Sequence, residues 1–237
     1  REESLDGPFA TLNQYGQILS QGNSKDGNFD GEIRFYNDKG VMIEKTNYKE
    51  GVKNGIHTVY YANGNIKQEV FYVNDTLSGK FTNYNIFGGI DCEGTFKNDY
   101  YQGEKKCYFE NGALKSTENF LEGVYDGAQT FYYANKIVES TYQYTKGNVE
   151  GKVVTRLANG NLVAEYEVSK DQVSTGVLNF HSNGVKNTEL IPKGDGFERN
   201  AFDFKGRLLD KSNYDKNMNL LSIKYFDENE KMYFEET

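Results

Sequence analysis

Few side chains in this sequence could do chemistry: His57 and His181, Cys92 and Cys107, and a surplus of carboxylates. Acid–base and nucleophilic catalysis both need a partner group within hydrogen-bond reach. The two histidines stand far apart in the chain, and neither cysteine has a histidine near it to act as a base. Two Cys and two His at these spacings do not build a four-ligand zinc site. The sequence has no Gly-x-Ser-x-Gly elbow and no glycine-rich phosphate loop. One run imitates a calcium loop: Asp26, Asn28 and Asp30 supply alternate oxygens before Gly31, and Ile33 fills the apolar eighth place. Its twelfth place is Asn37, where a bidentate carboxylate is required, so the run reads as a polar turn. The Asn74-Asp75-Thr76 sequon is at chance level in an Asn-rich chain. These residues predict a protein that is not an enzyme, with no catalytic residues, no metal and no cofactor.

The composition narrows the classes further. The 237 residues carry 27 Lys+Arg against 35 Asp+Glu, a net charge of −8 with a pI near 5.0. An acidic chain is ill suited to neutralising phosphates, which argues against nucleic acid as a partner. No run approaches the roughly 20 apolar residues of a membrane-spanning helix. With 19 Tyr and 16 Phe the chain is too aromatic to be disordered. Its 25 Gly and only 2 Pro point to a repetitive β-protein.

The elements that would position these residues are visible as a repeat. Gly7, Gly31, Gly55, Gly79, Gly103, Gly127 and Gly151 stand 24 residues apart. Gly16, Gly40, Gly64, Gly88, Gly112, Lys136, Gly160 and Gly184 keep the same spacing, as do Gly27, Gly51, Asp75, Asp99, Gly123, Gly147, Asp171 and Asp195. The eighth unit reads as one residue longer, with its anchor at Gly176, and beyond about Gly196 the pattern loosens into capping hairpins. Each unit holds two strand-like runs joined by an Asn-Gly type of turn, such as Ala62-Asn63-Gly64. The prediction is all-β: an elongated, single-layer antiparallel meander of 24-residue hairpins. It forms one domain over 1–237, regular over about 6–195 and degenerate over 196–237. About eight to ten hairpins at roughly 4.8 Å per strand would make a sheet about 75–95 Å long.

Two aromatic columns recur at fixed phase. One holds Tyr36, Tyr60, Tyr84, Tyr108 and Tyr132; the other holds Tyr48, Tyr72, Phe96, Phe120 and Tyr144, followed by Val168. A third column, Met42, Ile66, Ile90, Leu114, Val138 and Leu162, is aliphatic. A two-residue turn at Asn63-Gly64 would pair Tyr61 with Ile66, whereas a type I turn with Gly64 in a left-handed bulge pairs Tyr60 with Ile66. The bulge is preferred because it gathers all three columns on one face. If odd positions pair with odd across every turn, Cys92 and Cys107 point to opposite faces and remain free thiols.

The units Asp30-Gly31-Glu-Ile-Arg-Phe-Tyr-Asn-Asp-Lys-Gly40, Tyr60-Tyr61-Ala62-Asn63-Gly64 and Gly103-Glu-Lys-Lys-Cys-Tyr-Phe-Glu-Asn-Gly112 resemble the MORN-repeat family, in its bacterial variant. The resemblance spans roughly residues 6–195 and implies an elongated twisted sheet of successive hairpins. Bacterial members are commonly labelled toxin–antitoxin antitoxins, and eukaryotic MORN arrays are linked to acidic phospholipids and scaffolding. This chain lacks the eukaryotic Trp positions, and its −8 charge repels anionic lipid, so a lipid role is discounted. The expected function is a scaffold binding another protein along its aromatic face, antitoxin-like or at the cell envelope. The alternatives are a carbohydrate-binding protein using its Tyr columns, and a structural spacer. The candidate contact residues are the ten aromatics of the two columns, from Tyr36 to Tyr144. The chain opens at Arg1 without Met, which reads as removal of an upstream segment. An exported bacterial protein (periplasmic, surface or secreted) is favoured over a cytoplasmic one.

Overall fold

A computed structural model describes residues 6–169, 172–173 and 176–237. Among them there is no helix; the fold is an antiparallel β-meander in which consecutive strands pair in chain order. The chain divides into two compact units, Arg1–Val124 and Tyr125–Thr237. The first unit contains the hairpins Gly7–Leu12/Ile18–Lys25, Gly31–Tyr36/Met42–Lys49, Val52–Tyr60/Ile66–Val73, Thr76–Tyr84/Ile90–Lys97 and Gly103–Tyr108/Leu114–Leu121. The second begins with Gly127–Tyr132/Val138–Thr145 and Gly151–Arg156/Leu162–Ser169.

One register serves all seven of these hairpins. With each anchor glycine as position 0, position 0 pairs with 17, 2 with 15, 4 with 13 and 5 with 11. The turn sets this register. Gly64 N donates to Tyr61 O at 2.9 Å, Tyr61 N donates to Asn65 O at 2.8 Å, and Gly64 sits at φ +86. A type I turn closed by a left-handed residue pairs Tyr60 with Ile66, as expected from the sequence.

The same bulge overturns the expectation of one aromatic face. Side chains alternate along a strand, so positions 0, 2 and 4 face one way and 1, 3 and 5 the other. Positions 17, 15 and 13 pair with 0, 2 and 4, which carries the column of Tyr48, Tyr72 and Phe96 to that side. Tyr36, Tyr60 and Tyr84, paired with the aliphatic column, lie on the opposite side.

The pairing rule assumed for the cysteines fails for the same reason: apart from 5 with 11, even positions pair with odd ones. Cys92 at position 13 lies directly opposite Cys107 at position 4 of the next hairpin, with Cα atoms 4.0 Å apart, and the two form a disulfide. They are therefore not free thiols. Elsewhere in the first unit the equivalent rung is held by Ser20–Phe35, Glu44–Val59 and Gln68–Asn83, the last with a 2.9 Å side-chain hydrogen bond.

One further expectation about the repeat is corrected. Phe180 pairs with Lys186 and Ala164 with Asn179, so the eighth hairpin keeps the 24-residue phase and Gly176 stands at position 1. The anchor position itself, Thr175, and Asp171 of the third turn series lie outside the described residues. Beyond the two-residue turn that pairs Lys193 with Gly196, the turns follow a shorter spacing. Phe202–Leu208, Tyr214–Leu220 and Phe226–Met232 then close hairpin after hairpin every 12 residues.

Burial concentrates in the stripe formed by positions 2 and 15. Ile33, Thr46, His57, Val70 and Phe81 are buried in the first unit, Gln129 and Val153 in the second. Large residues there face small ones: a Cβ on Gly94 would stand 2.8 Å from Phe81 Cε1. Within each unit a hairpin packs against its sequence neighbours, so this stripe is the core that aligns the aromatic columns.

Candidate functional site

All ten aromatics singled out in the sequence are half-buried. At position 5, the phenol oxygens of Tyr36, Tyr84 and Tyr108 bond to position 14 of the preceding hairpin. Gln21 Nε2 donates to Tyr36 Oη at 2.8 Å, Tyr84 Oη donates to Glu69 at 3.3 Å and Tyr108 Oη to Glu93 at 2.6 Å. The Glu93 bond, aided by burial, pushes the Tyr108 phenol up to about 12. Burial first, and the Glu69 carboxylate second, raise that of Tyr84. These phenols are already committed within the sheet, and what they offer outward is ring surface.

The position-17 column stacks with residues at positions 2 and 22. Ring centroids of Phe29 and Tyr48 lie 5.2 Å apart, of Phe81 and Phe96 4.9 Å, of Phe96 and Tyr101 4.6 Å, and of Tyr101 and Phe120 5.1 Å. Lys53 lies over Tyr72, and Lys105 over Tyr101 and Phe120, with ammonium-to-centroid distances of 5.2 to 5.8 Å. In the second unit Tyr144 packs on Tyr125 at 5.1 Å. Contacts of this kind stabilise a sheet by about 0.5–1.5 kcal/mol per pair beyond area burial.

A side-chain cluster that the sequence reading missed surrounds His57. Its Nδ1 lies 2.7 Å from Thr46 Oγ1, which donates to Glu44 at 2.9 Å, and the Glu44 carboxylate is 3.5 Å from the ring. Burial lowers the His57 pKa and Lys53 adds to that, while Glu44 opposes both. Thr46 is fully buried, so a substrate has no route to its oxygen. The cluster could have been found only from the pairing of positions 13 and 15 with the next hairpin. The calcium-like run resolves into a turn: Asp26 takes φ +50, and Asn28 Nδ2 donates to Asp26 O at 3.2 Å. Among the described residues no three His, Cys, Asp or Glu side chains converge as a metal site. The sequence reading also passed over an apolar groove at Ile56 and Phe71 and the exposed turn tip Ile86–Phe87.

Residues 29–50, 53–74 and 101–122 match the family model described as MORN repeat variant. Those three segments are similar to MORN repeats. Each matched segment runs from position 22 of one unit to position 19 of the next and so contains one whole hairpin. No curated protein matches the chain. Solved structures that align with it include TcdB2-TccC3-Cdc42, at 13% identity over 94% of this chain and 13% of that one, TM-score 0.21. TcdB2-TccC3 without its hypervariable C-terminal region aligns at 13% identity over 93% of this chain and 13% of that one, TM-score 0.19. The Photorhabdus luminescens Tc holotoxin pore aligns at 9% identity over 95% and 13%, TM-score 0.24. The chain thus spans about 13% of the length of these structures. Scores this low carry no argument about this chain.

Proposed function

We propose that this chain is a non-enzymatic repeat scaffold that binds another protein through the aromatic columns of its sheet. The observation that carries this reading is the half-buried state of all ten column residues, which leaves a regular series of ring edges open to a partner. Rings held in place by cross-strand contacts give contact area at little further cost in side-chain entropy. The net charge of −8 selects a basic or polar partner surface. Toxin neutralisation and recognition at a bacterial cell envelope are the narrower roles that the family resemblance adds. A lipid surface is not among them, because anionic headgroups would meet an acidic chain.

The test uses the intact chain as bait for proteins of its own cell, alongside two triple variants at Tyr60, Tyr84 and Tyr108. The Phe variant keeps the rings and removes the hydroxyls; the Ser variant removes both. Capture retained by Phe and lost by Ser, with an unchanged far-ultraviolet circular dichroism spectrum, is the expected result. A partner held equally by all three proteins would mean that the Tyr column is only a structural ladder.

A further inference from the structure

Five asparagines in this chain precede a glycine: Asn54, Asn63, Asn111, Asn159 and Asn183. At such a step the side-chain amide can be attacked by the next backbone nitrogen, because glycine has no Cβ to block the approach. The attack is slowed wherever the amide or the glycine N–H is held, since both must come free before they meet. All five sites start from the same dipeptide, so what separates them is how the fold holds each one.

Four of the five stand at position 8 of a hairpin tip and share two restraints. The nitrogens of Gly64, Gly112, Gly160 and Gly184 each donate to the position-6 carbonyl at 2.8 to 2.9 Å. Each asparagine Oδ1 accepts from the backbone nitrogen two residues on, at 3.0 to 3.1 Å. A third restraint is not shared. Asn63 Nδ2 donates to Ile86 O at 3.1 Å and Asn183 Nδ2 to Phe204 O at 2.9 Å, whereas Asn111 and Asn159 have no such bond among the described residues. The glycines then divide these last two. Gly160 O accepts from the Arg156 guanidinium at 3.3 Å, and a Cβ on Gly160 would stand 4.0 Å from Ile137 Cγ2. Gly112 is exposed, with nothing within 4 Å of the same point. Asn54, away from the tips, donates to Asn74 Oδ1 at 3.1 Å, and Gly55 lies within the strand Val52–Tyr60, opposite Tyr72.

We propose that Asn111-Gly112 is a site of spontaneous covalent modification, the first of the five to deamidate, with water as the co-reactant. Gly112 N bonds to Asn111 Cγ, the Cγ–Nδ2 bond breaks, and the proton of Gly112 N leaves with that nitrogen as ammonia. Water then opens one of the two C–N bonds of the succinimide ring, leaving aspartate or isoaspartate at 111. No oxidant or reductant is consumed. Either product adds a negative charge beside Glu110 in a chain already at −8. Isoaspartate also lengthens the backbone by one carbon and turns the carbonyl that holds Ala113 N into main chain. The change stays local, because the strand Gly103–Tyr108 keeps its pairing with Leu114–Leu121 and its disulfide to the preceding hairpin. None of the ten column aromatics takes part, and the proposal stands or falls separately from the partner-binding reading above.

The test is to incubate the full chain at neutral pH, folded and in urea, and to follow each asparagine by tryptic peptide mapping with mass spectrometry. Cleavage at Lys and Arg puts Asn111, Asn159 and Asn183 on separate peptides, and fragmentation distinguishes Asn54 from Asn63. In the folded chain Asn111 should convert first. It should lead Asn63 and Asn183 by roughly 2- to 10-fold, the effect of the one hydrogen bond that they have and it lacks. In urea the five rates should converge. Another asparagine converting ahead of Asn111 in the folded chain, or an order that urea leaves unchanged, would overturn the proposal. So would an Asn111 that stays intact in the folded chain for as long as the unfolded chain takes to convert.

Discussion

His57 is held neutral among Thr46, Glu44, Lys53 and the edge-on ring of Tyr72. Burial is the first cause of its lowered pKa, and an unfolded chain would protonate it at about 6.5. A histidine whose pKa falls on folding contributes stability that is complete above the unfolded value. That contribution drains away as pH drops through about 6.5 towards the folded value. We expect the melting temperature to decline between pH 7.5 and 5, and His57→Gln to flatten that part of the curve in scanning calorimetry. A slope unchanged by the substitution would place the acid sensitivity elsewhere. This site illustrates what the sequence conceals at the residue scale. Position 2 is Ile33, His57, Phe81, Lys105, Gln129 and Val153 in successive units, so no hydrophobic periodicity announces the core stripe. Register makes those positions interior, and large-to-small pairing such as Phe81 over Gly94 fills them.

At the scale of the hairpin, the glycine series was legible because left-handed backbone is demanded at the turns, and few other residues accept it cheaply. Lys136 at φ +70, Met218 at φ +65 and Glu230 at φ +59 are among the positions where that demand is met at a steric cost. The Tyr60–Ile66 register was anticipated, but from the gathering of three columns on one face, which the structure does not show. The faces did not follow, because a bulge inverts parity and period-2 reasoning presumes that none intervenes. The disulfide was lost to the same error. Linking Cys92 to Cys107 closes a loop with a sequence separation of 15, which by chain entropy is worth about 3 kcal/mol. Replacing both cysteines by serine should lower the urea midpoint by a corresponding amount, and a reducing agent should do the same to the wild type. Equal midpoints with and without reductant would mean that the bridge constrains nothing that the strands do not already hold.

For the whole chain, charge is the term that sequence alone supplied correctly. The excess of eight negative charges is not offset by strong pairing: ion pairs such as Arg34–Glu32 and Lys106–Glu104 are exposed and screened by solvent, so each contributes little. Raising ionic strength from 0.01 to 0.15 M shortens the screening length from about 30 to about 8 Å. Self-repulsion should weaken more than these short pairs, so thermal stability should rise with salt; a fall would show that local ion pairs dominate. The change of period near Lys193 also limits how such a chain can lengthen or shorten. Before it, two unlike turns alternate, so a gain or loss keeps every side chain on its own face only in steps of 24 residues. After it every turn is alike, and steps of 12 suffice. The C-terminal stretch can therefore be copied one strand at a time, whereas the remainder can be copied only two strands at a time.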